Sequence, residues 1–306
     1  MCVWRYSAHL HKSFARCTGH LRLKTKDKNK SRKIKSRTNK KKRLTARTAD
    51  KYELYQWSVQ SPQEDIEFVS NIYRQIRKKK ARHFREDFCG TGLLSATWIG
   101  RGRKYTAEGF DIDPEPVAWG KARHFTDLGA AAERMTFHLQ DVRQASAMPP
   151  DIRCAQNFSY WVFKTRPEML NYFTTAREDL ARNGIFVIDL YGGPEIFEEM
   201  EEETEIAQGF TYIWHQDEYW PITGEAILHI HFKFPHGKKM KRAFTYDWRI
   251  WGLGELRDIL DDAGFARVDC YWEGTDEGGV SGDGEFSREG KGERCLSYVA
   301  YLVAQK

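Results

Sequence analysis

Two glycines one residue apart, Gly90 and Gly92, follow the acidic pair Glu86-Asp87, and a further aspartate, Asp111, stands nineteen residues beyond Gly92. A glycine turn leaving a buried strand lets backbone approach a ligand closely, and a carboxylate ending the next strand can accept both hydroxyls of a ribose. Together these residue types read as a site for a nucleoside cofactor. The positions after Gly92 are Leu93, Leu94 and Ser95, so the third glycine that packs helix on strand beneath a dinucleotide pyrophosphate is missing, and there is no Walker lysine. NAD, FAD and ATP all need a phosphate cradle and are disfavoured, which leaves a nucleoside without phosphates.

At these residues, and over about residues 50 to 306, the chain resembles the class I S-adenosylmethionine-dependent methyltransferases. Glu86 takes the place of the acid in the family's first motif, Gly90 and Gly92 those of its last two glycines, and Phe88 stands where the first glycine would be. Asp111 matches the ribose-binding acid, Gln140-Asp141-Val142 the motif bordering the adenine, and Asn157-Phe158-Ser159-Tyr160 the motif beside the methyl group. The resemblance implies S-adenosyl-L-methionine as cofactor, held by Glu86, Cys89, Gly90, Thr91, Gly92, Asp111, Ile112, Asp141, Val142 and Asn157. It implies methyl transfer to a small-molecule nitrogen or oxygen nucleophile, with Tyr160 as the residue that orients the acceptor. Asn157 and Tyr160 also match the ends of the Asn/Asp-Pro-Pro-aromatic motif of nucleic-acid amino-methyltransferases, but Phe158 and Ser159 replace its middle. An RNA methyltransferase is therefore the second reading, and a non-catalytic cofactor-binding module, its turn altered by Phe88, the third.

Alternating strand and helix patterns from Arg82 onward predict a doubly wound, Rossmann-like α/β sheet, with all three motif acids at the C-terminal ends of strands, where such sheets bind ligands. Seven strands are expected, the last two at Ala266 to Trp272 and Leu296 to Ala304 with a glycine-rich acidic loop between them. Ser61-Pro62-Gln63-Glu64 reads as an N-cap, first-turn proline and capping-box glutamate, opening a helix to about Lys80 with Ile66, Val69, Tyr73 and Ile76 as its buried stripe. Tyr52, Tyr55 and Trp57 precede that helix, where they could close over a cofactor or simply pack. After the fifth strand, period-two runs from Phe210 to Trp251 predict an antiparallel lid, placed at 205–251. Its His215, His229, His231, Trp214, Trp220, Tyr246, Trp248 and Arg249 are candidates for the pocket wall, and Arg249 for pairing an acceptor carboxylate. His229 and His231 share a strand face without an identifiable third ligand, so no metal is expected.

The net charge of +6 hides two opposite parts. Residues 1 to 50 hold 17 Lys or Arg against Asp27 and Asp50, a balance of +15, so the remaining residues carry −9. Residues 1–47 are expected to be a disordered basic tail, with 48–306 as the methyltransferase domain, because the tail has too few apolar residues to bury. Its polybasic run, residues 22–47, could contact RNA through salt-sensitive phosphate pairing, and its acid-free beginning also has the composition of a transit peptide. No stretch approaches eighteen apolar residues, and six scattered cysteines suit free thiols, so a cytoplasmic protein without membrane contact is expected.

Overall fold

A computed structural model of the chain describes residues 44–235, 237–276 and 282–306. The expected tail and its RNA contact lie outside the described residues as far as residue 43. Leu44, Ala46 and Ala49 already pack against the core. Among the described residues no helix is long and apolar enough to cross a membrane.

The central sheet has the order β3-β2-β1-β4-β5-β12-β10-β11. Its parallel half comprises β1 (His83–Asp87), β2 (Thr106–Asp111), β3 (Met135–Leu139), β4 (Ile152–Ala155) and β5 (Ile185–Gly192). All residues of β1, β4 and β5 are buried, as expected of central strands covered on both faces by helices. The antiparallel half comprises β10 (Arg267–Thr275), β11 (Gly282–Glu289) and β12 (Tyr298–Gln305), with β12 inserted between β5 and β10. The sheet therefore has eight strands where the sequence predicts seven. The extra edge strand, β11, forms within the glycine-rich acidic segment, whose polar residues read as loop but whose backbone completes a hairpin with β10.

Local chemistry explains most helix boundaries. The Asp50 carboxylate accepts from the amides of Tyr52 and Glu53 and so starts α1 (Lys51–Val59), which the sequence reading leaves without regular structure. Pro62 opens α2 (Pro62–Arg77), but Ser61 makes no side-chain cap bond, so the expected capping box does not form there. A full capping box joins Thr165 and Glu168 at α5 (Arg166–Asp179) instead. Between them lie α3 (Leu93–Gly100) and α4 (Pro114–Gly120), the latter continuing as a single π-turn through Phe125. The helix α6 (Leu253–Asp262) packs on α5.

The insertion after β5 is a second, four-stranded antiparallel sheet in the order β6-β7-β8-β9, formed by β6 (Met200–Ile206), β7 (Phe210–Trp220), β8 (Glu225–Lys233) and β9 (Lys239–Arg249). It starts earlier than predicted because β6, the charged run MEEETEI, pairs with β7 despite its weak strand propensity. The inner face of this sheet, including Tyr212, Trp214, Ile230 and Trp248, joins the same buried cluster as the upper ends of β4 and β5. A lid built this way is part of the core.

Candidate functional site

The C-terminal ends of β1, β2 and β4 and the loop after β3 open into a cleft of about 770 Å³, closed on its far side by α1 and the lid strand β9. It is lined by Glu86, Asp87, Asp111, Asp113, Asp141 and Glu168 against two cations, Lys51 and Arg143. Such a site favours a cationic ligand. At its centre the Asp111 carboxylate accepts from the Gly90 amide at 2.7 Å and from the Asp113 amide at 2.9 Å, which ties the end of β2 to the glycine turn. Burial raises the pKa of Asp111 above the ordinary range. Beside it Ile112, 76% exposed, is a large apolar side chain on the cleft wall.

The turn itself keeps its path although Phe88 replaces a glycine. Phe88 adopts the left-handed conformation, φ 54°, that glycine enters without strain, and its ring is held near Phe163 and Tyr172. Gly90 is left-handed as well. Gly92 is not a wall of the cleft: it stands at the N-terminus of α3 with φ 67°, and a Cβ there would lie 2.9 Å from the Phe137 ring. Its role is packing. A Cβ on Gly120 would run into the Thr91 carbonyl, so α4 passes directly over the turn only because that residue is glycine.

Glu86 accepts from the amide and hydroxyl of Ser95 at 2.9 and 2.5 Å, yet burial outweighs these bonds and pushes its pKa to about 8. Cys89 is buried and its thiol is driven up by the same desolvation. Thr91 accepts from Gln56, whose amide nitrogen also meets His124, so α1 is fastened to the glycine turn. On the same helix Tyr52 and Tyr55 line the cleft and contact Phe244 of β9, with ring centroids 5.9 and 5.0 Å apart. Trp57 packs toward Phe210. The segment thus straps the lid to the sheet.

Asp141 and Val142 both line the cleft. Asp141 pairs with Arg143 at 2.6 Å, and this bond holds its carboxyl below the ordinary range. The Val142 carbonyl accepts from two fully buried guanidiniums, those of Arg85 and Arg153, which also clamp the two oxygens of Asp87. Tyr172 donates to Asp87 at 2.8 Å. This network anchors the loop after β3 to the interior of the sheet. No short-range pattern announces it, since Arg85 and Arg153 lie 68 positions apart and meet only because β1 and β4 pair.

Asn157 and Phe158 follow β4 in successive left-handed conformations, φ 57° and 58°. They are held by Asp189 of β5, whose carboxylate accepts the Asn157 amide at 2.7 Å and the Phe158 amide at 3.1 Å. The chain then makes a 3-10 turn, Ser159–Val162, that presents Ser159 and Val162 to the cleft and sends Tyr160 inward. Tyr160 is fully buried and its hydroxyl donates to the Asp189 carbonyl at 2.8 Å. The expectation that Tyr160 orients an acceptor is corrected: it is a core residue that braces Asp189.

Asn157, Tyr55, Tyr246 and Trp248 are shared between the cleft and a small annex of about 50 Å³ beneath the lid. Tyr212 and Trp214 complete its aromatic walls, and Asp189 lies at its base. Burial pushes the Asp189 pKa up to about 7. Of the other predicted wall residues, Arg249 is committed elsewhere, stacked 3.8 Å from the Trp251 centroid and paired with Glu255. Trp220 is 44% exposed near the hairpin tip. The histidines occupy the opposite face of the lid, because Leu228, Ile230 and Phe232 alternate with them along β8. There His229 bonds to Thr245 and Asp217, while His231 meets His215 at 3.3 Å. Glu201, His215 and His231 bring three candidate ligand atoms within 4.8 Å of one another, a grouping that leaves out His229, which the sequence pairs with His231. The Arg242 amide donates to His231 Nδ1, which assigns the proton to Nε2, the atom facing His215. A proton therefore occupies the line on which a cation would be shared. Cys89, Cys154 and Cys270 are free, buried thiols.

No family model matches the sequence, and no curated protein matches it. Solved structures do. An amino pentose methyltransferase of calicheamicin biosynthesis from Micromonospora echinaspora, CalS10, superposes with a TM-score of 0.58 at 15% identity, covering 84% of this chain and 97% of that one. The sugar N-methyltransferase KedS8 from Streptoalloteichus gives 0.55 at 17% identity over 94% and 99% of the two chains. An S-adenosylmethionine-dependent methyltransferase from Clostridium acetobutylicum gives 0.58 at 12% identity over 83% and 94%. Aligned over most of both chains at these scores, they show one architecture: the chain has the class I S-adenosylmethionine-dependent methyltransferase fold.

Proposed function

We propose that this chain is an S-adenosylmethionine-dependent methyltransferase acting on a small-molecule acceptor. The observation that carries the reading is the Asp111–Gly90 contact at the floor of an acidic cleft, with an exposed Ile112 beside it. The residues fit the cofactor. Asp111 keeps unused lone pairs for ribose hydroxyls, Ile112 and Val142 offer apolar surface to an adenine, and the surplus of carboxylates suits a ligand bearing a sulfonium and an ammonium. The cleft volume lies within the range of small-ligand sites. The cofactor supplies a methyl group already activated by its positive sulfur, so the protein needs no strong acid or base to generate the electrophile.

What remains for the chain is alignment and exclusion of water. The strap α1 and the strand β9 cover the cleft, and Asn157, in its clamped conformation, stands where cleft and annex meet. A small-molecule acceptor agrees with the small size of the annex and with CalS10 being an amino pentose methyltransferase and KedS8 a sugar N-methyltransferase. The test is calorimetric titration of the full chain with S-adenosylmethionine and S-adenosylhomocysteine. One-site binding with micromolar dissociation constants is expected; well-folded protein that binds neither refutes the proposal.

A further inference from the structure

The annex beneath the lid has a composition that selects among acceptors. Its walls are the rings of Tyr55, Tyr212, Trp214, Tyr246 and Trp248, and its one ionisable acid is Asp189, 4% exposed. Among the described residues no Lys, Arg or His lines it. The Asp189 carboxylate accepts the backbone amides of Asn157 and Phe158, so it is hydrogen-bonded but faces no cation among the described residues that line the annex. A buried carboxylate without a cation is costly, and aromatic faces attract cations most strongly where water is excluded. A hydroxyl group would leave that charge unanswered, and a carboxylate would be repelled by it.

We propose that the annex is an ammonium-binding site and that the acceptor of the proposed methyl transfer is an amine presented there by a larger small molecule lying in the cleft. This rests on the methyltransferase reading above. The annex volume accommodates a head group of a few heavy atoms, while the shared wall of Tyr55, Asn157, Tyr246 and Trp248 lets the rest of the molecule continue into the 770 Å³ cleft. The amine enters as an ammonium and gives one proton to the Asp189 carboxylate, which exposes its lone pair. The nitrogen then forms a bond to the methyl carbon as the carbon–sulfur bond breaks, its electron pair staying on sulfur, and the positive charge passes to the methylated nitrogen. Burial holds the Asp189 carboxyl near 7, a value suited to taking a proton at neutral pH.

The test separates charge from shape. Full-length protein saturated with S-adenosylhomocysteine is titrated calorimetrically with choline and with its uncharged isostere 3,3-dimethylbutan-1-ol. Choline is expected to bind about tenfold more tightly or better, the scale of a desolvated cation on aromatic faces. Trp214→Leu is expected to lower choline affinity by about fivefold or more with affinity for S-adenosylhomocysteine retained, and Asp189→Asn to reduce the preference for choline to what the aromatic faces alone supply. If Asp189→Asn does not fold, the Trp214 variant and the isostere pair still decide. Equal affinity for the two probes, or binding of neither to protein that takes up S-adenosylhomocysteine, overturns the ammonium site and leaves the methyltransferase reading standing. Failure to bind S-adenosylhomocysteine overturns both.

Discussion

The carboxylate of Asp189 on β5 receives the backbone amide of Asn157 at 2.7 Å, thirty-two positions earlier in the chain, and with it the next amide, of Phe158. Two consecutive left-handed residues that are not glycine carry a conformational cost, and this clamp is what meets it. Asp189→Ala is expected to destabilise the fold by about 1–3 kcal/mol through the orphaned amides, read as a lowered Tm in thermal unfolding. Unchanged stability would mean that the loop after β4 holds its shape without Asp189.

At the other end of the cleft Asp111→Ala removes the acceptor of the Gly90 amide and the proposed ribose partner. Affinity for S-adenosylhomocysteine should fall by about tenfold or more, the loss of charge-assisted hydrogen bonds, while the far-ultraviolet circular dichroism stays that of the wild type. Undiminished affinity would remove Asp111 from the site.

Phe88 sets strain against packing. Phe88→Gly relieves a left-handed cost of roughly 1–2 kcal/mol but gives up ring contacts with Phe163 and Tyr172, whose burial is worth roughly as much or more. Stability in urea should change little or decrease slightly, and cofactor affinity should persist because the turn already follows a glycine-like path. A large gain in affinity on substitution would show instead that the phenyl ring obstructs the site.

Arg153→Met leaves Asp87 with one guanidinium in place of two and removes one of the two donors to the Val142 carbonyl. Breaking a buried ion pair from one side typically costs about 3–5 kcal/mol. Denaturant unfolding should register a loss of that order, and hydrogen exchange should rise in the loop 142–146. Wild-type protection there would show that Arg85 alone anchors the loop.

Acid stability should depend on Glu108. Burial alone would raise its carboxyl, but His83 and the amides of Ala147 and Met148 overcome that and hold it at about 2, well below the usual carboxylate range. A depressed carboxyl contributes stability above its unfolded value near 4.5, and that contribution disappears as pH falls toward 2. Glu108→Gln is therefore expected to be less stable than wild type at pH 7 and to show a flatter loss between about pH 4.5 and 2 in pH-dependent thermal unfolding. Parallel curves for the two proteins would contradict this assignment.

Several parts of the site were legible because their signals are short. The turn at Gly90, the helix opened by Pro62 and the last strand, expected at Leu296 to Ala304 and found at Tyr298–Gln305, each follow from a few neighbouring residues, and the sheet places Asp111 where its strand was expected to end. Other features escaped for definite reasons. The strap α1 has almost no apolar periodicity, and β6 is a run of glutamates that becomes a strand only by pairing with β7. Tyr160 is expected from its motif to orient the acceptor, but after the left-handed Phe158 the 3-10 turn carries it into the core.

Sequence alone therefore determined the succession of elements, the glycine turn and the acids at the ends of the strands, since hydrophobic period and turn chemistry are set by adjacent residues. Tertiary structure alone decided that Asp189 would sit beneath Asn157, that Gln56 would reach Thr91, and that Trp214, Tyr246 and Trp248 would face the annex while the histidines of the same sheet face away. Those outcomes depend on which distant strands pair and on how completely water is removed from each carboxylate. The same desolvation that raises Asp189 and Glu86 exists only once the lid and α1 have closed over the sheet.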